Sequence, residues 1–168
     1  MKFTALIVVM AGLQCCSFVA SDGCDAGWQP HGDSCYLFKK TLMNQTDAEN
    51  FCRTQAGYLA EPTVEGINTF LKETLRQDSG SDENYWIGGT DLTEEGQWHW
   101  LHSGKCFSYT DWYAGEPNDL EGEDCNHFSA YFDYQWNDSD CSIKEFFICE
   151  KKQIETCTSK RNSLGSVI

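Results

Sequence analysis

The chain has 168 residues, 26 of them acidic against 12 basic, and a formal net charge of −14. That length allows one domain with a real core and little beside it. The acidic balance excludes nucleic acid and anionic membranes as partners, because both demand a basic face, and it favours a cation.

Residues 1–20 read as a secretory signal: Lys2 supplies the positive end, residues 3–13 are an apolar run, and small residues follow at Ser17, Ala20 and Ser21. The run is too short for a transmembrane helix. No later stretch is apolar enough to span a bilayer, so a secreted, extracellular protein is expected, with one domain over 21–152 and a polar tail over 153–168. Of the ten cysteines, Cys15 and Cys16 leave with the signal. Cys24, Cys35, Cys52, Cys106, Cys125, Cys141, Cys149 and Cys157 remain. An even set in a secreted chain reads as a disulfide framework, but spacing alone cannot choose among the roughly one hundred pairings that eight cysteines allow.

A turn punctuated by Gly27, Pro30 and Gly32 precedes a short apolar run at 35–38, which predicts a strand. Thr46-Asp47-Ala48-Glu49 has the capping-box pattern, in which the Thr oxygen and the Glu three residues later satisfy free amides at a helix start. Ala48, Phe51, Cys52 and Gln55 then follow at helical spacing, and Gly57 is the expected stop. Glu61-Pro62-Thr63 opens a second helix. It carries Val64, Ile67, Phe70, Leu71, Thr74 and Leu75 on one stripe and ends near 78–80. Beyond it the period changes. Residues 85–89, 98–100, 106–109 and 145–149 are short aromatic or β-branched runs between turns, and they predict strands. Helices first and strands afterwards make an α+β domain rather than alternating βαβ units.

Between residues 116 and 138 the chain gathers Glu116, Asn118, Asp119, Glu121, Glu123, Asp124, Asn137 and Asp138 without a single Lys or Arg. Their mutual repulsion opposes folding unless a cation sits among them. Oxygen donors favour calcium, which takes about six to eight of them, over zinc, which prefers nitrogen and sulfur.

Five motifs stand in one order: Trp86-Ile87-Gly88-Gly89, Glu116-Pro117-Asn118, Gly122-Glu123-Asp124-Cys125, Trp136-Asn137-Asp138 and Phe147-Ile148-Cys149-Glu150. Together they make residues 24–151 resemble the C-type lectin domain. The resemblance implies two helices packed on small antiparallel sheets, a long calcium-binding loop, and disulfides Cys24–Cys35, Cys52–Cys149 and Cys125–Cys141. Cys106 and Cys157 are left to pair with each other or to bridge chains. It implies a sugar-binding calcium held by Glu116, Asn118, Glu123, Asn137 and Asp138, with a cis Glu116-Pro117 bond. It also implies a second calcium at Asp91, Glu95, Asp119 and Asp124. Two departures stand out: the stretch between Asn118 and Glu123 is one residue shorter than in the mannose-binding collectins, and the stretch between Cys125 and Cys141 is longer.

By the same resemblance, Glu-Pro-Asn selects mannose, glucose, N-acetylglucosamine or fucose, whereas galactose binders carry Gln-Pro-Asp and a nearby aromatic, which residues 119–124 lack. The expected function is calcium-dependent carbohydrate binding, with mannose-type glycans and microbial surface polysaccharides as partners and innate-immune recognition or agglutination as the setting. The alternative is a C-type lectin-like module that binds protein or ice and keeps calcium for structure only. An enzyme is not expected, because carboxylates held ionised by a metal make poor general acids. Weak single sites call for multivalency, hence a homo-oligomer. Trp86, Trp98, Trp100 and Trp136 are expected in the core rather than as sugar platforms. His31, His99, His102 and His127 lack metal-ligand or nucleophile spacing. Of two sequons, Asn44-Gln45-Thr46 is the expected glycan acceptor and Asn137-Asp138-Ser139 is expected to stay unmodified.

Overall fold

A computed structural model of the chain describes residues 23–77 and 83–153. The signal over 1–20, the expected end of the second helix at 78–80, the polar tail from 154 and Cys157 lie outside them. The elements run β1 (Gln29–His31), β2 (Ser34–Met43), α1 (Gln45–Thr54), β3 (Tyr58–Leu59), α2 (Glu65–Gln77), β4 (Tyr85–Thr90), β5 (His99–Trp100), β6 (Cys125–Ser129), β7 (Gln135–Ser139) and β8 (Glu145–Lys152). The class is α+β, as expected. The strands form one eight-stranded sheet in the order β1-β2-β8-β4-β6-β7, with β3 added to β8 and β5 to β4. It is mixed rather than antiparallel, since β4 and β8 run parallel through Tyr85↔Phe146 and Trp86↔Phe147.

Local chemistry moves several boundaries. The cap of α1 is Asn44, not Thr46: its side chain accepts the Asp47 N–H at 2.7 Å, so the helix starts earlier than the capping-box pattern predicts. Glu49, freed from that box, accepts instead from the Leu59 N–H and from Arg53 Nε, both at 2.6 Å, and ties β3 to the helix. At the other end Ala56 takes the left-handed turn with φ 57°. Gly57 is needed for a different reason, because a Cβ there would stand 2.5 Å from the Glu150 carbonyl oxygen.

The second helix begins at Glu65 rather than at 61. Glu61 is buried, and its carboxylate accepts the N–H groups of His102 at 2.8 Å and Ser103 at 3.0 Å, which holds the segment out of the helix. The strand expected over 106–109 reduces to a single bridge between Cys106 and His99, because its aromatic side chains fill the core instead of forming a ladder. Trp86, Trp98, Trp100 and Trp136 are all buried, as expected. Trp136 Nε1 donates to Asn68 Oδ1 at 2.8 Å, so the ring in the middle of β7 is also anchored to α2.

Disulfides join Cys24 to Cys35, Cys52 to Cys149 and Cys125 to Cys141, with Cα separations of 5.7, 5.4 and 5.1 Å. Cys106 is exposed and has no disulfide partner among the described residues. No helix among them is long and apolar enough to cross a membrane.

Candidate metal centre

The carboxylates converge because of how β6 and β7 pair. Cys125 stands opposite Ser139, Asn126 opposite Asp138 and His127 opposite Asn137, so the hairpin brings Asp138 to the end where residues 116–124 fold over. That segment is led there by backbone bonds, from Tyr113 N–H to the Trp136 carbonyl and from Glu116 N–H to the Tyr113 carbonyl, both 2.9 Å. The Glu116-Pro117 peptide is cis, and Asp119 and Glu121 adopt φ of 47° and 65°. A chain without hydrophobic contacts needs polar ones to hold such a shape. Asp138 Oδ2 accepts the N–H groups of Asn118 at 2.9 Å and Asp119 at 2.7 Å. Asn118 Oδ1 accepts from Leu120 N–H at 2.9 Å, and Asp119 Oδ1 from Glu123 N–H at 3.1 Å.

What remains points inward. Glu116 Oε2 and Asp138 Oδ1 are buried with no hydrogen-bond partner among the described residues. Burial, followed by the adjacent Asp138 carboxylate and the charge of Glu123, raises the Glu116 carboxyl above its ordinary range. Burial and then the Asp138 charge raise Glu123. Asn137 Nδ2 donates to the Asp138 main-chain carbonyl. Of the predicted primary set, Glu116, Asn118, Glu123 and Asp138 act on one another, whereas the contact given for the Asn137 side chain is to the neighbouring Asp138 carbonyl; Asn137 and Asp138 belong to β7 and not to the loop.

Beside it lies a second group. One oxygen from each of Asp91, Glu95 and Asp124 falls within 4.8 Å of the others. Asp91 directly follows β4 and is 2 % exposed. It is fastened by its own N–H to the Asp124 carbonyl at 3.2 Å, and Thr90 Oγ1 donates to the same carbonyl at 2.7 Å, a tie that no sequence motif announces. Asp91 Oδ2 accepts from Gly96 N–H at 2.9 Å, while Oδ1 is buried without a partner among the described residues. Burial, with Asp124 next, raises Asp91. Glu95 is raised as well, by desolvation and then by Asp91, Asp119 and Asp124. Asp119, the remaining expected member, stands outside the close threesome and spends an oxygen on Glu123 instead.

Lys72–Asp111, Arg76–Asp133 and Lys151–Asp25, ion pairs among the described residues, share no residue with either group. Oxygen-only donors, raised carboxyls and buried oxygens without partners are what a hard cation would satisfy, so calcium fits both places. His127 Nδ1 lies 2.7 Å from Glu145 Oε2 in the interior.

Residues 41–151 match the family described as the Lectin C-type domain. The chain belongs to the C-type lectin family. This C-type lectin is 34 % identical over 143 residues to the perlucin-like protein of Mytilus galloprovincialis, a match covering 84 % of the chain and 90 % of that relative. It is 33 % identical over 135 residues to the galactose-specific lectin nattectin of Thalassophryne nattereri, covering 79 % and 82 %. Among solved structures, the SPL-1 complex with GlcNAc aligns with a TM-score of 0.69 at 32 % identity, covering 76 % of this C-type lectin and 94 % of the other chain.

Proposed function

We propose that the protein is a secreted, calcium-dependent lectin for mannose-type sugars, meaning mannose, glucose, N-acetylglucosamine or fucose. The observation that carries this reading is the pair of buried oxygens without partners, Glu116 Oε2 and Asp138 Oδ1, set beside Asn118 and Glu123 across a cis proline. Glu116, Asn118, Glu123, Asn137 and Asp138 would hold the primary calcium, and Asp91, Glu95, Asp119 and Asp124 a second. Calcium held there would act as the Lewis acid that draws the oxygens of two neighbouring sugar hydroxyls. The chain's own residues then set the specificity. Glu116 and Glu123 accept hydrogen bonds from the hydroxyls, while Asn118 and the one amide hydrogen of Asn137 not given to the Asp138 carbonyl donate to the hydroxyl oxygens.

That alternation of acceptor and donor selects an equatorial pair. One relative is galactose-specific by name and one related structure holds GlcNAc. The Glu-Pro-Asn order and the lack of an aromatic over residues 119–124 favour the second kind of sugar. A shallow site of this type binds one monosaccharide with about −4 kcal/mol, so useful affinity for microbial glycans comes from several sites together, in a homo-oligomer.

Retention on immobilised mannan is expected, with elution by a chelator and by free mannose but not by galactose. Glu116→Gln with Asn118→Asp should move elution from mannose to galactose while calcium binding survives, since the summed charge of the pair is kept. Retention indifferent to chelator and mannose would remove the proposal and transfer the chain to the protein- or ice-binding alternative.

Two covalent features belong to the secreted reading. Asn44 caps α1 through Oδ1, which leaves its amide nitrogen for a glycan, whereas Asn137 Nδ2 is engaged by the Asp138 carbonyl. Lys105 and Lys152 line one pocket of about 270 Å³, which puts Cys106 near the end of β8. Cys157 is five residues beyond Lys152, a reach of roughly 17 Å. Peptide mapping of the native, non-reduced protein is expected to recover Asn44 glycosylated, Asn137 bare, and Cys106 and Cys157 in one disulfide-linked fragment. A Cys106–Cys106 fragment would instead make this cysteine the bridge between chains.

A further inference from the structure

Asn126 is fully buried, and neither its Nδ2 nor its Oδ1 meets a hydrogen-bond partner among the described residues. A carboxamide in that state costs folding free energy, so its retention asks for a reason outside the fold of the bare chain. Its surroundings supply one. On the β6–β7 hairpin it stands directly opposite Asp138, and opposed residues in an antiparallel pair put their side chains on the same face. Gly89 lies against it on the adjoining strand β4. A Cβ built on Gly89 would lie 2.8 Å from Asn126 Cβ and 3.2 Å from its Nδ2, and 2.6 Å from Phe107 Cζ. Gly89 thus packs directly against the amide, with no room there for a side chain.

Asp138 divides its labour in a way that makes such a neighbour useful. Oδ2 is committed to the N–H groups of Asn118 and Asp119, and Oδ1 is the buried atom left over. We propose that Asn126 is a positioning residue for the metal centre: its Nδ2 donates to Asp138 Oδ1 when the carboxylate turns to a bound cation, fixing the plane of the carboxyl. The inference rests on the calcium-dependent reading above and adds to it a residue lying outside all the motifs of the binding set. An oxygen bound to a cation keeps a lone pair for such a bond, and partners of this outer kind tune metal affinity about 10- to 100-fold. The rival account makes Asn126 a polar filler of the interior, in which case its loss would alter stability and nothing else.

Ala and Ser at this position separate the two, because they differ by one hydroxyl in the same space. Calcium titration by calorimetry and terbium displacement, without sugar, is the readout, together with melting temperature in chelator. Asn126→Ala is expected to bind calcium about 10-fold more weakly than the unsubstituted protein while its metal-free melting temperature stays equal to that of Asn126→Ser. Asn126→Ser, which keeps a donor, should hold its affinity within about threefold of the unsubstituted protein. Equal calcium affinity in all three proteins overturns the inference, and so does an equal loss in both variants that tracks a lower metal-free melting temperature. Absence of saturable calcium binding in the unsubstituted protein overturns the reading beneath it.

Discussion

Asp138→Ala is expected to raise the calcium dissociation constant at least about 100-fold, equivalent to about 2.7 kcal/mol, and to abolish retention on mannan. The size follows from the two tasks of one carboxylate. Oδ1 is withdrawn from the cation, and the N–H groups of Asn118 and Asp119 lose the charged acceptor that shapes residues 116–124. Bonds to a charged acceptor are worth about 1.5–3 kcal/mol each, so the loop that carries Asn118 loosens as a ligand is lost. Asp138→Asn should do nearly as badly, since an amide nitrogen would face either those donors or the cation. Calorimetric titration checks the effect, and retention of wild-type affinity by the Ala protein would mean that the cation sits elsewhere.

The same carboxylates give the pH dependence its sign. Glu116, Glu123, Asp91 and Glu95 are all raised from ordinary values of 4.5 for Glu and 3.8 for Asp. The ion-free folded chain therefore holds these protons more tightly than the unfolded chain does. Their contribution favours folding below the ordinary values and is lost as pH rises from there through the raised ones. Calcium requires the ionised forms and reverses that slope. The calcium-induced rise in melting temperature should be close to nil at about pH 4 and grow toward neutrality.

Much of this was readable from the chain because charge cannot be hidden. Glu116, Glu123 and Asp138 with no Lys or Arg between them announce a cation before any fold is known. Trp86, Trp98, Trp100 and Trp136 announce a core, and the structure buries them. The misread features depend on contacts remote in sequence. Glu61 looked like a helix opening, yet it is held by His102 and Ser103, some forty positions away. Thr46 satisfies the local capping pattern as well as Asn44 does, and the choice falls to Asn44 with Gln45 buried and donating from Nε2 to the carbonyls of Ile87 and Gly89 at 3.1 and 2.9 Å. Residues 106–109 have strand composition, but the Phe107 ring is used against Trp100 and Trp136. Asn126 carries no signal in the sequence, because its interest lies in the register that sets it opposite Asp138.

Replacing both Cys52 and Cys149 by Ala is expected to cost about 4–5 kcal/mol, the largest stability loss of any disulfide in the described chain. The bond spans a sequence separation of 97, against 16 for Cys125–Cys141 and 11 for Cys24–Cys35, and the entropy withheld from the unfolded chain grows with loop length. It links α1 to β8, the strand that pairs with β2, β3 and β4, and both sulfurs lie in the cluster with Ala48, Leu59, Trp86 and Phe147. A domain of this size has about 5–15 kcal/mol in hand, so the variant should be marginal, melting about 15 °C lower in chelator. Removing Cys125–Cys141 should cost less stability, about 3 kcal/mol, but more calcium affinity. That bridge joins Cys125, next to Asp124, to Cys141 just past β7, the strand that carries Asp138, so it ties together the chain segments that bear the two acidic groups. Thermal unfolding with chelator and calcium titration, run on both variants, should therefore rank them in opposite orders. The same order in both measurements would mean that the hairpin holds its carboxylates in place without the bridge.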